Sequence, residues 1–184
     1  MFGACLVRLR QCCYRFVLHV GAKVSMNDIM SANSLNNNVF LVTGAARRIG
    51  AAIVTRLHED GARVAIHYRG SADAAQALAS QLNAIRKDSA MAIQADLLQT
   101  ESLPSLIDAV VNWGGQLNGL VNNASSFYAT PLGTVTEQNW DELVGSNFKA
   151  PLFLAQAALE PLRASHGSIV NIVDIHAQRP LREH

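Results

Sequence analysis

From Val39 onward, short apolar runs alternate with longer amphipathic ones. Val39–Thr43 reads as a buried strand that ends in a glycine turn. Ile49, Ile53, Val54 and Leu57 then recur at helical spacing, and Gly61 supplies the stop. Arg63–His67 is a second strand, Ala72–Arg86 an alanine-rich helix and Met91–Ala95 a third strand. Thr100 is placed to cap a helix running through Trp113, with Glu101 favourable in its first turn. Leu117–Asn122 is a fourth strand, Thr136 opens a helical stretch containing Trp140 and Leu143, and Asn147–Arg163 reads as one long apolar helix. Ser168–Asp174 is a fifth strand. Such alternation predicts an α/β fold, a parallel sheet covered by helices on both faces. Right-handed crossovers then give a doubly wound strand order 3-2-1-4-5.

Composition supports a folded domain. Of the 184 residues 49% are hydrophobic and 16% charged, enough for one domain with a real core. The charge is unevenly placed: residues 1–27 hold Arg8, Arg10, Arg15 and Lys23 and no acid, so the remainder is net acidic. An acidic body without a basic patch argues against a nucleic-acid partner. Cys5, Cys12 and Cys13 all lie in that basic head, which points to a reducing, cytoplasmic setting with no disulfide framework. No CxxC spacing or HExxH pair occurs, so no metal site is expected. Arginines cut the head's apolar runs far below the length needed to span a bilayer, and no membrane association is expected. We read residues 1–37 as an extension and linker outside the fold, and residues 38–184 as the domain. The extension is either upstream sequence before an initiator at Met26 or Met30, or an organelle transit segment.

The segment Val42-Thr43-Gly44-Ala45-Ala46-Arg47-Arg48-Ile49-Gly50 joins the first strand to its helix. A phosphate cradle needs this placement: a tight turn at Gly44, close strand–helix approach at Gly50, and free helix-start amides facing the anion. The spacing differs from the G-x-G-x-x-G of the dinucleotide fingerprint. It resembles the T-G-x-x-x-G-x-G turn of the short-chain dehydrogenase/reductase family, with Thr43, Gly44 and Gly50 matching and Arg48 replacing the middle glycine. A turn with Arg47 and Arg48 before Ile49 is similar to that of the pteridine reductases within the family. The resemblance implies a Rossmann-type NADP-binding domain.

NAD-preferring members place an acid at the tip of the second strand to hold the ribose hydroxyl. Here that tip is His67-Tyr68-Arg69-Gly70-Ser71, with no carboxylate. Arg69 and Ser71 suit a 2′-phosphate, Arg47 is a plausible second cation, and NADP(H) is the expected cofactor. Residues 67–71 also resemble the corresponding pteridine reductase stretch. The family packs adenine after the third strand, where Asp96 and Leu97 stand here; alone, such an acid is usually a turn residue.

The fourth strand runs into Asn122-Asn123-Ala124-Ser125-Ser126-Phe127-Tyr128, similar to the family's N-N-A-G with Ser125 for glycine. The resemblance implies that Asn123, Ala124 and Ser125 line the cofactor and that Phe127 stacks on a pterin, as a flat heteroaromatic ring would favour. Without it, Phe127 reads as core filling and Tyr128 as structural. Asn147 matches a family asparagine that supports a water in the proton relay; a helix cap is the plainer reading. Asp174 stands where most members carry serine and pteridine reductases carry aspartate, which implies proton transfer to a ring nitrogen.

The family's catalytic Tyr-x-x-x-Lys pair belongs to the helix after the fifth strand, and no such pair occurs in this chain. We therefore expect a fragment that is inactive alone, its last strand exposing the apolar edge Ile169-Val170-Asn171-Ile172-Val173. The expected parent activity is NADPH-dependent reduction of a pterin or dihydrofolate-like ring, with Arg48, Ser125, Phe127 and Asp174 on the substrate side. A carbonyl or 3-oxoacyl reductase and a catalytically dead nucleotide-binding protein are the alternatives. Family members commonly form tetramers, so a homo-oligomer is expected of the full-length protein.

Overall fold

The computed structural model describes residues 34–174, together with 14–16, 179 and 182. Most of the expected extension, including both proposed initiators, lies outside the described residues. Six strands are present: β1 (Tyr14–Phe16), β2 (Val39–Val42), β3 (Arg63–Tyr68), β4 (Ala90–Gln94), β5 (Gly119–Asn122) and β6 (Ser168–Asp174). They form one sheet in the order β1-β6-β5-β2-β3-β4. The five strands β2 to β6 are mutually parallel. Counted from β2, this is the doubly wound order expected from the sequence.

Helices α1 (Arg48–Glu59) and α2 (Ala72–Ile85) cover one face of the sheet. Helices α3 (Leu103–Gly114), α5 (Ala150–Ala157) and α6 (Leu159–Ala164) cover the other, and α4 (Glu137–Val144) follows the loop after β5. Leu41 and Leu120 point into the α3 side with Ile107 and Leu154, whereas Val42, Val64 and Ile66 point into the α1 side with Val54. Strand geometry dictates this, because successive side chains leave on opposite faces. Each such fully buried aliphatic side chain contributes about 1.5–3 kcal/mol. No described helix is long and apolar enough to cross a membrane.

Two expectations are corrected. The long helix over Asn147–Arg163 is broken: a π-helical turn spans Gly145–Lys149, and α5 and α6 follow it as separate pieces. Pro151 and Pro161 have no N–H to offer Asn147 and Ala157, so the ladder is interrupted at both places. Thr100 opens a short 3-10 turn, Thr100–Ser102, rather than capping α3. Within residues 1–37, Leu35 N–H donates to Asp60 O (3.0 Å), and β1 pairs antiparallel with β6 through Tyr14–Asp174, Arg15–Val173 and Phe16–Ile172. The expected bare edge is thus covered at its C-terminal end. By contrast, Thr136 caps α4 as expected, its hydroxyl accepting from Asn139 N–H while the Asn139 side chain accepts from Thr136 N–H.

Candidate functional site

The chain leaves β2 for β3 on one side and reaches β5 on the other, so a crevice opens at the C-terminal ends of these strands. The β2–α1 turn that floors it is anchored twice. On the β5 side, Thr43 Oγ1 accepts from the N–H groups of Asn123 (2.9 Å) and Ala124 (3.0 Å). The Asn123 amide donates back to Thr43 O (2.9 Å) and Gly44 O (3.1 Å). On the β3 side, Gly44 N–H donates to His67 Nδ1 (3.1 Å) and Ala45 N–H to His67 O (2.8 Å). Gly44 is left-handed (φ +61°), and a Cβ there would stand 2.9 Å from Ala124 Cα. A Cβ on Gly50 would stand 2.5 Å from Gly44 O. The two glycines therefore permit the close approach that the sequence suggested.

Helix α1 starts behind this turn with no side-chain cap and no acid in its first turn. Its first amides form a positive end without a competing carboxylate, which suits an anion. Arg47 and Arg48 flank it and are exposed. Arg48 has φ +53°, in the left-handed region that favours glycine, although the residue carries a side chain. A left-handed non-glycine costs on the order of 1–2 kcal/mol, a strain typical of functional turns.

His67 is 2% exposed. A backbone N–H can be accepted only by a bare ring nitrogen, so Nδ1 is unprotonated and Nε2–H donates to Ala95 O (3.2 Å). Burial lowers its pKa to about 4, against smaller opposing effects of the Ala95 bond and nearby Asp96. The imidazole is neutral and fully used by the protein. Arg69, just beyond it, is exposed on the cleft, and its carbonyl accepts from Gln94 Nε2 (2.9 Å). Asp96 Oδ1 accepts from Leu98 N–H (3.1 Å), a turn role, while Leu97 is buried.

The loop after β5 forms the opposite rim. Asn147, in the π turn, does not cap a helix. Its Nδ2 donates to Ser126 O (2.7 Å), and its Oδ1 accepts from Ser126 N–H (3.2 Å). Glu142 accepts from Tyr128 Oη (3.3 Å) and Ser126 Oγ (3.4 Å), which gives Tyr128 the structural role expected. Phe127 is 56% exposed and lines the cleft, so it is not core filling. Asp174 ends β6, exposed and on the same cleft.

The cleft has a volume of about 1120 Å³. It collects Gly44, Arg47, Arg48, Ile49, Gly50, His67, Arg69, Asp96, Leu97, Asn123, Ala124, Ser125, Phe127, Asn147 and Asp174. Tyr68 and Ser71 are not on its wall: Tyr68 packs in the core beneath α1, and Ser71 stands at the start of α2. Sequence reasoning missed the apolar wall of Phe148, Leu152 and Ile169, and the Asn122–Asn171 rung, whose amides meet at 2.8 Å. The register could have revealed that rung, because Asn122 and Asn171 are partners in the parallel pairing of β5 with β6.

The family model described as short chain dehydrogenase matches residues 38–183. The chain belongs to the short-chain dehydrogenase family. Pteridine reductase 1 of Leishmania tarentolae is 38% identical over 181 residues, covering 78% of this chain and 63% of that protein. The 3-oxoacyl-[acyl-carrier-protein] reductase of Staphylococcus aureus is 37% identical over 136 residues, 73% of this chain and 55% of that protein. An oxidoreductase of Methylorubrum extorquens is 35% identical over 143 residues, covering 78% and 57%. The chain thus spans less than two thirds of the length of these curated family relatives. Members of this family use nicotinamide cofactors.

Proposed function

We propose that the protein carrying this chain is an NADPH-dependent reductase of a pterin or dihydrofolate-like ring. The observation that carries the reading is that Arg48, Ser125, Phe127 and Asp174, the residues expected on the substrate side, line a single cleft. A dinucleotide fits the residues around that cleft. The glycine cradle has no room for a Cβ, and the uncapped start of α1 offers amides to the pyrophosphate. Arg47 and Arg69 lie at the cleft with no carboxylate at the tip of β3, which favours a 2′-phosphate over a bare ribose. Leu97 with Asp96, and Ala124 with Ser125, would border the adenine and nicotinamide ends. NADPH, when bound, supplies the hydride. Phe127 presents an exposed aromatic face for an offset-stacked heteroaromatic ring. Arg48 approaches the polar edge of that ring, and Asp174 passes a proton toward a ring nitrogen. The family's tyrosine and lysine are not among residues 1–184.

The test is steady-state turnover by the whole protein with dihydrobiopterin, dihydrofolate and an acetoacetyl thioester, each with NADPH and NADH. Pterin or folate turnover at least about tenfold faster with NADPH is expected. Thioester turnover without pterin turnover would move the protein to the 3-oxoacyl reductases. Nucleotide binding without turnover of any of the three would make it a binding protein.

A further inference from the structure

Thr43 and Asn123 secure the phosphate turn from the β5 side. On the β3 side the side chain that secures it is His67, which reaches Gly44 N–H through Nδ1 (3.1 Å) and Ala95 O through Nε2 (3.2 Å). One ring thus ties the loop after β2 to the loop after β4 across the intervening strand. The turn needs such a tie. Gly44 and Arg48 both hold positive φ, +61° and +53°, and a loop with two left-handed residues has other conformations to relax into.

We propose that His67 is a positioning residue for the dinucleotide. It keeps the Gly44 amide turned toward β3, and so holds the amides of Arg48, Ile49 and Gly50 toward the cleft. The inference rests on the cleft being a dinucleotide site, and it refines the part His67 plays there. Both ring nitrogens are spent inside the protein, so His67 offers the phosphates no bond. Its contribution is preorganisation, which reduces what binding costs in ordering the turn.

Two substitutions separate the two ring nitrogens. In His67→Asn the side-chain oxygen lies near the Nδ1 position and still accepts from Gly44 N–H, but the Ala95 bond is lost and a void is left. In His67→Gln the amide reaches Ala95 O and fills more of the space, but no acceptor faces Gly44. A role in packing alone makes Asn the worse replacement by every measure. Positioning reverses the order for affinity only. NADPH fluorescence titration of the whole protein is expected to show His67→Gln weakened about tenfold and His67→Asn by no more than about threefold. Thermal melts of the same samples are expected to rank Asn below Gln. Equal NADPH affinities, or tighter binding by His67→Gln, would overturn the proposal. If the unsubstituted protein does not bind NADPH, the dinucleotide reading itself falls, and the positioning role with it.

Discussion

Acidification tests the buried imidazole directly. In the unfolded chain His67 titrates near 6.5, whereas in the fold burial holds its pKa at about 4. The unfolded state therefore binds the proton more readily, so stability falls as pH falls. The contribution is complete above pH 6.5 and is progressively lost until the folded group itself protonates near 4. Linkage over this gap removes roughly 2 kcal/mol by pH 5 and roughly 3 kcal/mol below pH 4. His67 is 2% exposed, so solvent does not screen the effect appreciably. Protonation would also abolish the bond from Gly44 N–H and open the turn, which acts in the same direction. His58, whose pKa burial and Arg86 also lower, adds to the acid sensitivity, so a reference variant is needed. Urea unfolding of the unsubstituted protein and of His67→Asn, at about pH 7.5 and about pH 5, isolates the term, since most carboxylates remain ionised over this range. The unsubstituted protein is expected to lose about 2 kcal/mol more than the variant. Equal losses would refute the assignment of a buried neutral imidazole.

Replacing Arg48 by glycine removes a left-handed side-chain residue (φ +53°) and is expected to stabilise the fold by up to about 1 kcal/mol in a thermal melt, while weakening NADPH about tenfold through loss of a charged contact. Phe127→Ala should change stability by less than about 0.5 kcal/mol, because the ring is 56% exposed, yet lower kcat/KM for a pterin at least about tenfold. The 184-residue chain alone is expected to self-associate through the part of the outer edge of β6 that precedes the Ile172–Asp174 segment paired by β1, giving species larger than a monomer in sedimentation velocity. A monodisperse parent chain would count against that edge.

The strand order was legible because each strand is a short apolar run between glycine or polar breaks, and parallel crossovers leave few arrangements. The turn at Gly44 and Gly50 was legible for the same local reason: both positions forbid a Cβ. What escaped was non-local. Periodicity places Asn147 on an apolar helix, but its two amide atoms clamp Ser126, 21 residues earlier in the chain. The tip of β3 reads as one nucleotide-facing segment, yet strand alternation divides it. His67 turns to Gly44, Tyr68 goes into the opposite core and Arg69 faces the cleft. A proline can be seen in a sequence, but the π turn that Pro151 permits depends on what Asn147 holds.

The residues that break local rules converge on one place. An arginine in a glycine conformation, a phenylalanine more than half exposed and a histidine held neutral in the protein interior are each unusual where they stand. Scattered over the surface they would be unrelated defects. Around one cleft they are the pattern expected where a fold positions groups for a ligand. The expected effects of substitution also separate their parts. Relieving Arg48 should raise stability and weaken binding, so its strain serves the ligand. Replacing His67 should lower both, so its burial serves the turn that the ligand meets. A cleft in which both substitutions moved stability and affinity the same way would be a packing accident rather than a binding site.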